Sequence, residues 1–351
     1  MSDPPGQLLF AGFEGTRVPD DLAALVAEGR IGGVVLFARN VESADQLRAL
    51  VRDLHAPAPE ELPLLLAADQ EGGRVQRLRA PWTVWPPMRA VGDRDDSDLT
   101  RAVASALAQE LLDTGIGLDF APVVDVATEA TNPVIGDRSF GETPERVARH
   151  ARAFVEAMQA GGVAACAKHF PGHGDTTRDS HLELPRLAHG FDRLRRVELP
   201  PFRAAIEAGV ASVMTAHILF SALDPERPAT LSPVVLRILR EELGFGGVVF
   251  SDDLEMRAVA DALPIRDRVL LALEAGVDAL LVCSDAALWR DALGTLESAP
   301  APLLAEPLRR VRALKDRFAH AARARAFAGA APPYTAHQQL AARIAPAAGR
   351  A

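Results

Sequence analysis

Residues 168–181 read Lys168-His169-Phe170-Pro171-Gly172-His173-Gly174-Asp175-Thr176-Thr177-Arg178-Asp179-Ser180-His181. One lysine, three histidines and two aspartates stand in a stretch broken by proline and glycine, directly after the apolar run Val163–Ala167. That is a loop dense in titratable groups at the end of a rigid element, where chemistry is usually placed. Within it, Asp179 and His181 are two residues apart. In an extended loop they can hydrogen-bond, which fixes the imidazole tautomer and tunes its proton affinity. Gly172 and Gly174 open backbone conformations closed to other residues, so the loop is expected to close over a ligand. A second candidate is Asp252, after Phe250-Ser251; a carboxylate there can be a nucleophile, a base or a metal ligand. Asp253 follows it, but neighbours on a strand face opposite sides, so only one of the two is expected to face inward. Asp69-Gln70-Glu71-Gly72-Gly73-Arg74-Val75-Gln76-Arg77, Asn132-Pro133 and Arg138-Ser139-Phe140 add carboxylates, amides and guanidinium groups. Carboxylate–arginine pairs that fork hydrogen bonds to hydroxyls suit a sugar pocket.

These residues need a scaffold that gathers them. Short runs rich in Val, Ile, Leu and Ala predict strands at Leu8–Phe13, Gly32–Phe37, Leu62–Asp69, Leu118–Asp125, Val163–Phe170, Val210–His217, Gly247–Asp252 and Asp278–Cys283. Between them, amphipathic spacing predicts helices, among them Ser43–His55, Leu99–Thr114, Pro144–Ala160, Pro233–Leu243 and Ile265–Ala275. Near-continuous apolar strands suit a parallel sheet covered on both faces. Eight strand–helix units predict an α/β fold, a single-domain (β/α)8 TIM barrel. No Gly-x-Gly-x-x-Gly follows the first strand, which disfavours a dinucleotide fold. Asp69, Asp125, Lys168 with His169, His217 and Asp252 all fall at strand ends. In such barrels the C-terminal rim holds the site, so these charges form a polar pocket. The barrel and a helix at Pro307–Phe327 are expected to occupy 1–330, and the Ala/Pro-rich 331–351 to be a frayed tail.

Composition narrows the partners. The chain of 351 residues carries a net charge of −9, which disfavours nucleic acid and anionic membranes. No uncharged run approaches the roughly 18 residues a membrane span needs, and no positively charged start leads into an apolar stretch. Cys166 and Cys283 lie in apolar strand runs without metal-ligand spacing and read as buried reduced thiols. A cytoplasmic monomer without cofactor or metal, acting on a small carbohydrate, is expected. Aromatic residues are 5% with one tyrosine, too few for a long groove of stacking platforms; a pocket for one terminal sugar fits better. Trp82 and Trp85 read as loop anchors.

The motifs Asp69–Arg77, Lys168–Gly174 with Asp179-Ser180-His181, and Ser251–Leu254, in that order, resemble family 3 glycoside hydrolases, most closely the bacterial β-N-acetylhexosaminidase branch. The resemblance runs from about Gln7 to Asp285. It implies a retaining mechanism in which Asp252 is the nucleophile and His181, oriented by Asp179, gives and takes the proton. It implies that Asp69, Arg77, Arg138, Lys168 and His169 hold the terminal sugar, and that the substrate is a muropeptide or chitooligosaccharide fragment. Larger β-glucosidases of that family take their acid/base from a further domain. No room for one is apparent here, so the proton donor is expected from the barrel loops. Rival readings are a family 3 β-glucosidase, a glycoside phosphorylase, a substrate-assisted mechanism using Asp252-Asp253, a metal-dependent barrel using His169, His173, His181 and His217, and a catalytically silent sugar-binding barrel.

Overall fold

The computed structural model of the chain describes residues 3–180 and 182–344. Eight parallel strands close a barrel: β1 (Leu9–Ala11), β2 (Gly33–Leu36), β3 (Leu65–Ala68), β4 (Leu118–Asp119), β5 (Ala164–Phe170), β6 (Ser212–Thr215), β7 (Val248–Asp253) and β8 (Ala279–Val282). Each pairs with its neighbours in sequence, and β1 pairs with β8, Leu9 opposite Leu280. The expected (β/α)8 barrel is what forms. Its strands are short, buried apolar runs because helices cover the outside and side chains fill the inside. Phe250 stands at the centre, edge-on to Phe10 at 5.0 Å and to Phe120 at 5.5 Å between ring centroids. Edge-to-face rings of this kind fill a tapering interior without voids.

The principal helices are α1 (Asp20–Ala27), α2 (Ala44–His55), α3 (Ser97–Thr114), α4 (Pro144–Ala160), α5 (Leu199–Glu207), α6 (Pro233–Arg237), α7 (Ile265–Ala275), α8 (Ala286–Ser298), α9 (Ala301–Ala328) and α10 (Thr335–Ile344). Their starts follow capping chemistry. Ser43 accepts from the Gln46 N–H, Thr143 precedes Pro144 and accepts from Arg146, and Ser232 precedes Pro233 and accepts from Val235. In α2 the buried residues Leu47, Leu50, Val51 and Leu54 recur at helical spacing and form the stripe that seats it on the barrel. At the end of α7, Gly276 adopts φ of 109°, a left-handed cap that a side chain would resist.

Two expectations need correction. Strand β4 does not run to Asp125: regular pairing stops at Asp119, and residues 120–125 follow β5 through Cys166 N–H to Ala121 O, Lys168 N–H to Pro122 O and one bridge at Val123. Pro122 has no N–H to continue a ladder. The tail from 331 is not frayed throughout. It carries α10, with Tyr334, Ala341 and Ile344 buried. Tyr334 stacks on His337 with centroids 5.3 Å apart, and His337 Nδ1 lies 2.8 Å from the Glu110 carboxylate on α3. Residues 345–351 lie outside the described residues. Among the described residues no helix is long and apolar enough to cross a membrane.

Candidate active site

The C-terminal mouth of the barrel encloses a cavity of about 360 Å³. That lies at the small end of the roughly 300–1,000 Å³ common for small-molecule sites. Asp69, Arg77, Arg138, Lys168, His169 and Asp252 all line it, so six of the eight expected site residues share one chamber. Asp179 does not line it; its carbonyl accepts the Leu182 and Glu183 N–H groups, and its neighbour Ser180 is buried in the cavity wall. His181 lies outside the described residues.

One wall is a buried ion network. Lys168 Nζ, at the end of β5, donates to Asp69 at 2.7 Å and to Glu71 at 2.6 Å. Arg77 Nη2 donates to the other Asp69 oxygen at 2.8 Å, and Arg138 forks onto Glu71 with two bonds of 2.8 Å. Burial alone would raise the pKa of Glu71, but Arg138 and Lys168 outweigh it and hold the carboxyl at about 2. Burial pushes Asp69 the same way, and Lys168 and Arg77 hold it well below the ordinary carboxylate range. For Lys168, desolvation opposes the charge while Asp69 and Glu71 raise its pKa above the usual lysine value. Asp69, Glu71 and Lys168 are therefore ionised at neutral pH. Buried ion networks are poor devices for stability, because desolvation offsets much of the attraction. They are good devices for holding donors and acceptors still.

Local structure explains the placement. Asp69 and Glu71 are two apart in extended backbone and face the same way. The turn that returns Arg77 to Asp69 is a hairpin, Gln70–Gly72 against Val75–Gln76. The Gln70 amide clips it: Oε1 accepts the Arg77 and Leu78 N–H groups and Nε2 donates to Leu78 O. Gln76 does the same on the far side, through Gly73 O and both backbone groups of Trp85. The Arg77 guanidinium also sits 5.2 Å from the Phe37 ring centroid, within cation–π range. Its Nε–H is buried without an acceptor among the described residues. Trp82 and Trp85 are both 1% exposed and act as the expected anchors.

Beside the network, His169 Nδ1 lies 2.7 Å from Asp125 Oδ2, which orients the ring. Asp125 also accepts the His173 N–H at 2.6 Å. Burial, then the neighbouring His169, lowers the pKa of His173 to about 4, so its ring is neutral. The ring bridges Thr176 Oγ1 at 2.9 Å and Ser180 Oγ at 3.0 Å, tying the loop to its root. Gly174 is small for packing reasons: a Cβ there would stand 1.7 Å from the Val126 carbonyl oxygen. The sequence pattern had suggested conformational freedom instead.

Across the barrel, β7 supplies Asp252, whose Oδ1 accepts the Asp253 N–H at 2.8 Å. Asp253 lines the cavity too, contrary to the expectation that alternation turns it away. The cause is a bulge. Phe250 pairs with Ala279 but Asp253 with Leu281, so β7 carries one residue more than β8 over that span. Bulges re-aim side chains in this way. Ser251 Oγ accepts the Leu281 N–H at 3.0 Å. Burial, followed by the charges of Glu255 and Asp252, pushes Asp253 up to about 7.

Sequence reasoning passed over Glu71 as a site residue although it lies within the quoted motif. Its two-residue spacing from Asp69 was the available signal. Asp253 and Ser180 were missed because the bulge and the loop path carry no local signature, and Cys283 because an apolar strand run reads as core.

Fixed ion pairs on one side and a strand-end carboxylate on the other, at the mouth of a (β/α)8 barrel, make a polar chamber of the kind that enzymes of this fold use for a small ligand. Comparison with known proteins agrees. The model for the glycosyl hydrolase family 3 N-terminal domain matches residues 4–313, and the chain belongs to that family. A protein named beta-hexosaminidase from Alkalilimnicola ehrlichii is 45% identical over 283 residues, covering 79% of this chain and 80% of its own. The solved β-N-acetylglucosaminidase of family 3 from a Paenibacillus strain superposes with a TM-score of 0.91 at 41% identity, over 98% of this chain and 68% of that one. NagZ from Neisseria gonorrhoeae, solved with N-trifluoroacetyl-D-glucosamine, superposes at 0.82 with 32% identity over 98% of each chain.

Proposed function

We propose that the protein is a retaining, exo-acting β-N-acetylhexosaminidase that removes terminal N-acetylglucosamine from small glycans. The observation that carries the reading is the small chamber at the barrel mouth, about 360 Å³, with Asp252 and a network of fixed donors and acceptors in its lining. A chamber of that volume favours one terminal sugar over an internal segment of a polymer. The names borne by the related proteins support the preference for an acetamido sugar.

In this mechanism Asp69, Arg77, Arg138, Lys168 and His169 grip the sugar hydroxyls. The Arg77 Nε–H, which has no acceptor among the described residues, suits a ligand oxygen. Asp252 attacks the anomeric carbon as the leaving oxygen departs, forming a glycosyl ester. His181, supported by Asp179, donates a proton to that oxygen; it then takes one from the water that hydrolyses the ester. Both steps invert, so the configuration is retained. A histidine in place of the second carboxylate works near neutral pH. Muropeptide or chitooligosaccharide fragments in the cytoplasm are the substrates that fit this reading, with the chain acting as a monomer.

A panel of nitrophenyl glycosides, with the first-formed product followed by NMR, tests it. The N-acetyl-β-glucosaminide should turn over at least about 10²-fold faster than the β-glucoside and release the β-anomer first. Preference for the glucoside, release of the α-anomer, or a sugar phosphate as product when phosphate is added would overturn it.

A further inference from the structure

The structure assigns to His217 the positioning of the nucleophile: its imidazole holds the backbone of the β7 bulge that aims Asp252 into the chamber. The inference rests on the proposed role of Asp252 and extends it to a residue on another strand.

Regular pairing between β7 and β6 ends where Phe250 faces Met214. Asp252 and Asp253 lie beyond that last pair, on the bulge, where the ladder on the β8 side is also displaced. Backbone there needs other partners. His217, two residues past the end of β6 and fully buried, supplies one, with Nε2 2.9 Å from the Asp253 carbonyl oxygen. A carbonyl can only accept, so Nε2 carries the hydrogen. The same carbonyl accepts the Met256 N–H at 3.0 Å, which ties the chain on the far side of the bulge. The Asp253 carbonyl is thus gripped by two donors, and the N–H on the other side of the same Cα holds Asp252 Oδ1 at 2.8 Å. The route from His217 to the nucleophile is two hydrogen bonds and one residue.

The ring is itself oriented. Nδ1 lies 2.7 Å from Thr230 Oγ1, which lies 2.9 Å from Thr215 Oγ1 at the end of β6. A buried hydroxyl pair fixing an imidazole against a backbone carbonyl is a stiff arrangement. Stiffness matters here because attack on the anomeric carbon requires a near-attack geometry, and a misplacement near 1 Å can cost about 10²-fold.

The test compares His217→Ala, which removes the donor, with His217→Gln, whose side-chain amide can return a donor near Nε2. The readout is the rate at which a 2-fluoro glycoside with a dinitrophenolate leaving group forms the covalent adduct, alongside competitive inhibition by N-acetylglucosamine and the unfolding temperature. His217→Ala should label at least about tenfold more slowly. Its inhibition constant should be nearly unchanged, and His217→Gln should recover most of the rate. If His217→Ala does not fold, His217→Gln decides alone: a folded variant that labels more than tenfold below wild type overturns the assignment. So does His217→Ala labelling at the wild-type rate, or a loss of sugar affinity that accounts for the whole rate loss. Failure of the wild-type protein to label Asp252 would instead remove the underlying reading of the nucleophile.

Discussion

Asp119 and Glu71 are both buried beside Lys168, yet their carboxyls titrate far apart. Glu71 has two cations in contact and ionises at about 2. Asp119 is desolvated with only the Gln70 N–H on Oδ1 and no partner on Oδ2 among the described residues. Burial therefore pushes it up to about 8, and Asp69 and Glu71 add to the rise. An unfolded aspartate ionises near 3.8, so the folded state holds the extra proton between that pH and 8. The stabilisation is fully present below that window and is lost as pH rises through it. Asp119→Asn keeps an acceptor for Gln70 without the charge. Its unfolding temperature relative to wild type should climb across the window, by about 2 °C or more at pH 9. A difference independent of pH would refute the raised pKa. His181 belongs to the same scale. His181→Ala should impair a natural disaccharide about 10²-fold or more, because a poor leaving group needs the proton. A dinitrophenyl substrate should instead give a burst and then slow turnover. Equal losses on both substrates, without a burst, would take the acid/base role from His181.

Among the elements, the hairpin after β3 bears the most weight, and its support comes from the far end of the chain. Glu110 on α3 accepts from the Thr83 N–H and hydroxyl, and His337 on α10 lies against the same carboxylate. Two residues on from Thr83, Trp85 clips Gln76, and Gln76 closes the hairpin that ends in Arg77. Replacing Tyr334 and His337 together by Ala should lower the unfolding temperature and raise KM several-fold, with a smaller change in kcat. An unchanged KM would confine α10 to stability alone. Little of this was legible in the sequence. The barrel strands were, because apolar runs between capped helices have few other solutions. Helix α10 was hidden by its Ala/Pro-rich surroundings, although Tyr334, His337, Ala341 and Ile344 mark one helical face. The bulge in β7 was hidden because alternation is the default for a strand, and the bonds that replace it, from His217 and Ser251, come from side chains.

At the scale of the whole barrel, chemistry gathers at one end and a different buried charge marks the other. Lys315 on α9 is fully buried and donates to Gln7, whose amide reaches the carbonyls of Gly29 and Ile31 before β2. Desolvation lowers its pKa to about 7 from 10.5. The unfolded chain keeps that proton up to 10.5 and the folded chain releases it near 7, so stability rises with pH between those values. Lys315→Met should raise the unfolding temperature most at pH 7 and below. The gain should shrink toward pH 10, and a gain that grows with pH would contradict the reading. Only one of the two ends was legible in the sequence. Strand-end Asp, Lys and His announced the C-terminal rim, whereas nothing in the sequence sets Lys315 apart in a helix full of arginines.

The central claim is that Asp252 forms a covalent bond to the sugar. Treatment with a 2-fluoro glycoside bearing a dinitrophenolate leaving group, followed by digestion and mass spectrometry, tests it most directly. One glycosyl label is expected on the peptide containing Asp252, at Asp252. Asp252→Asn should be unlabelled, with turnover reduced at least about 10³-fold and unfolding temperature nearly unchanged. A label on Asp253 or Asp125, or turnover surviving in Asp252→Asn, would contradict it.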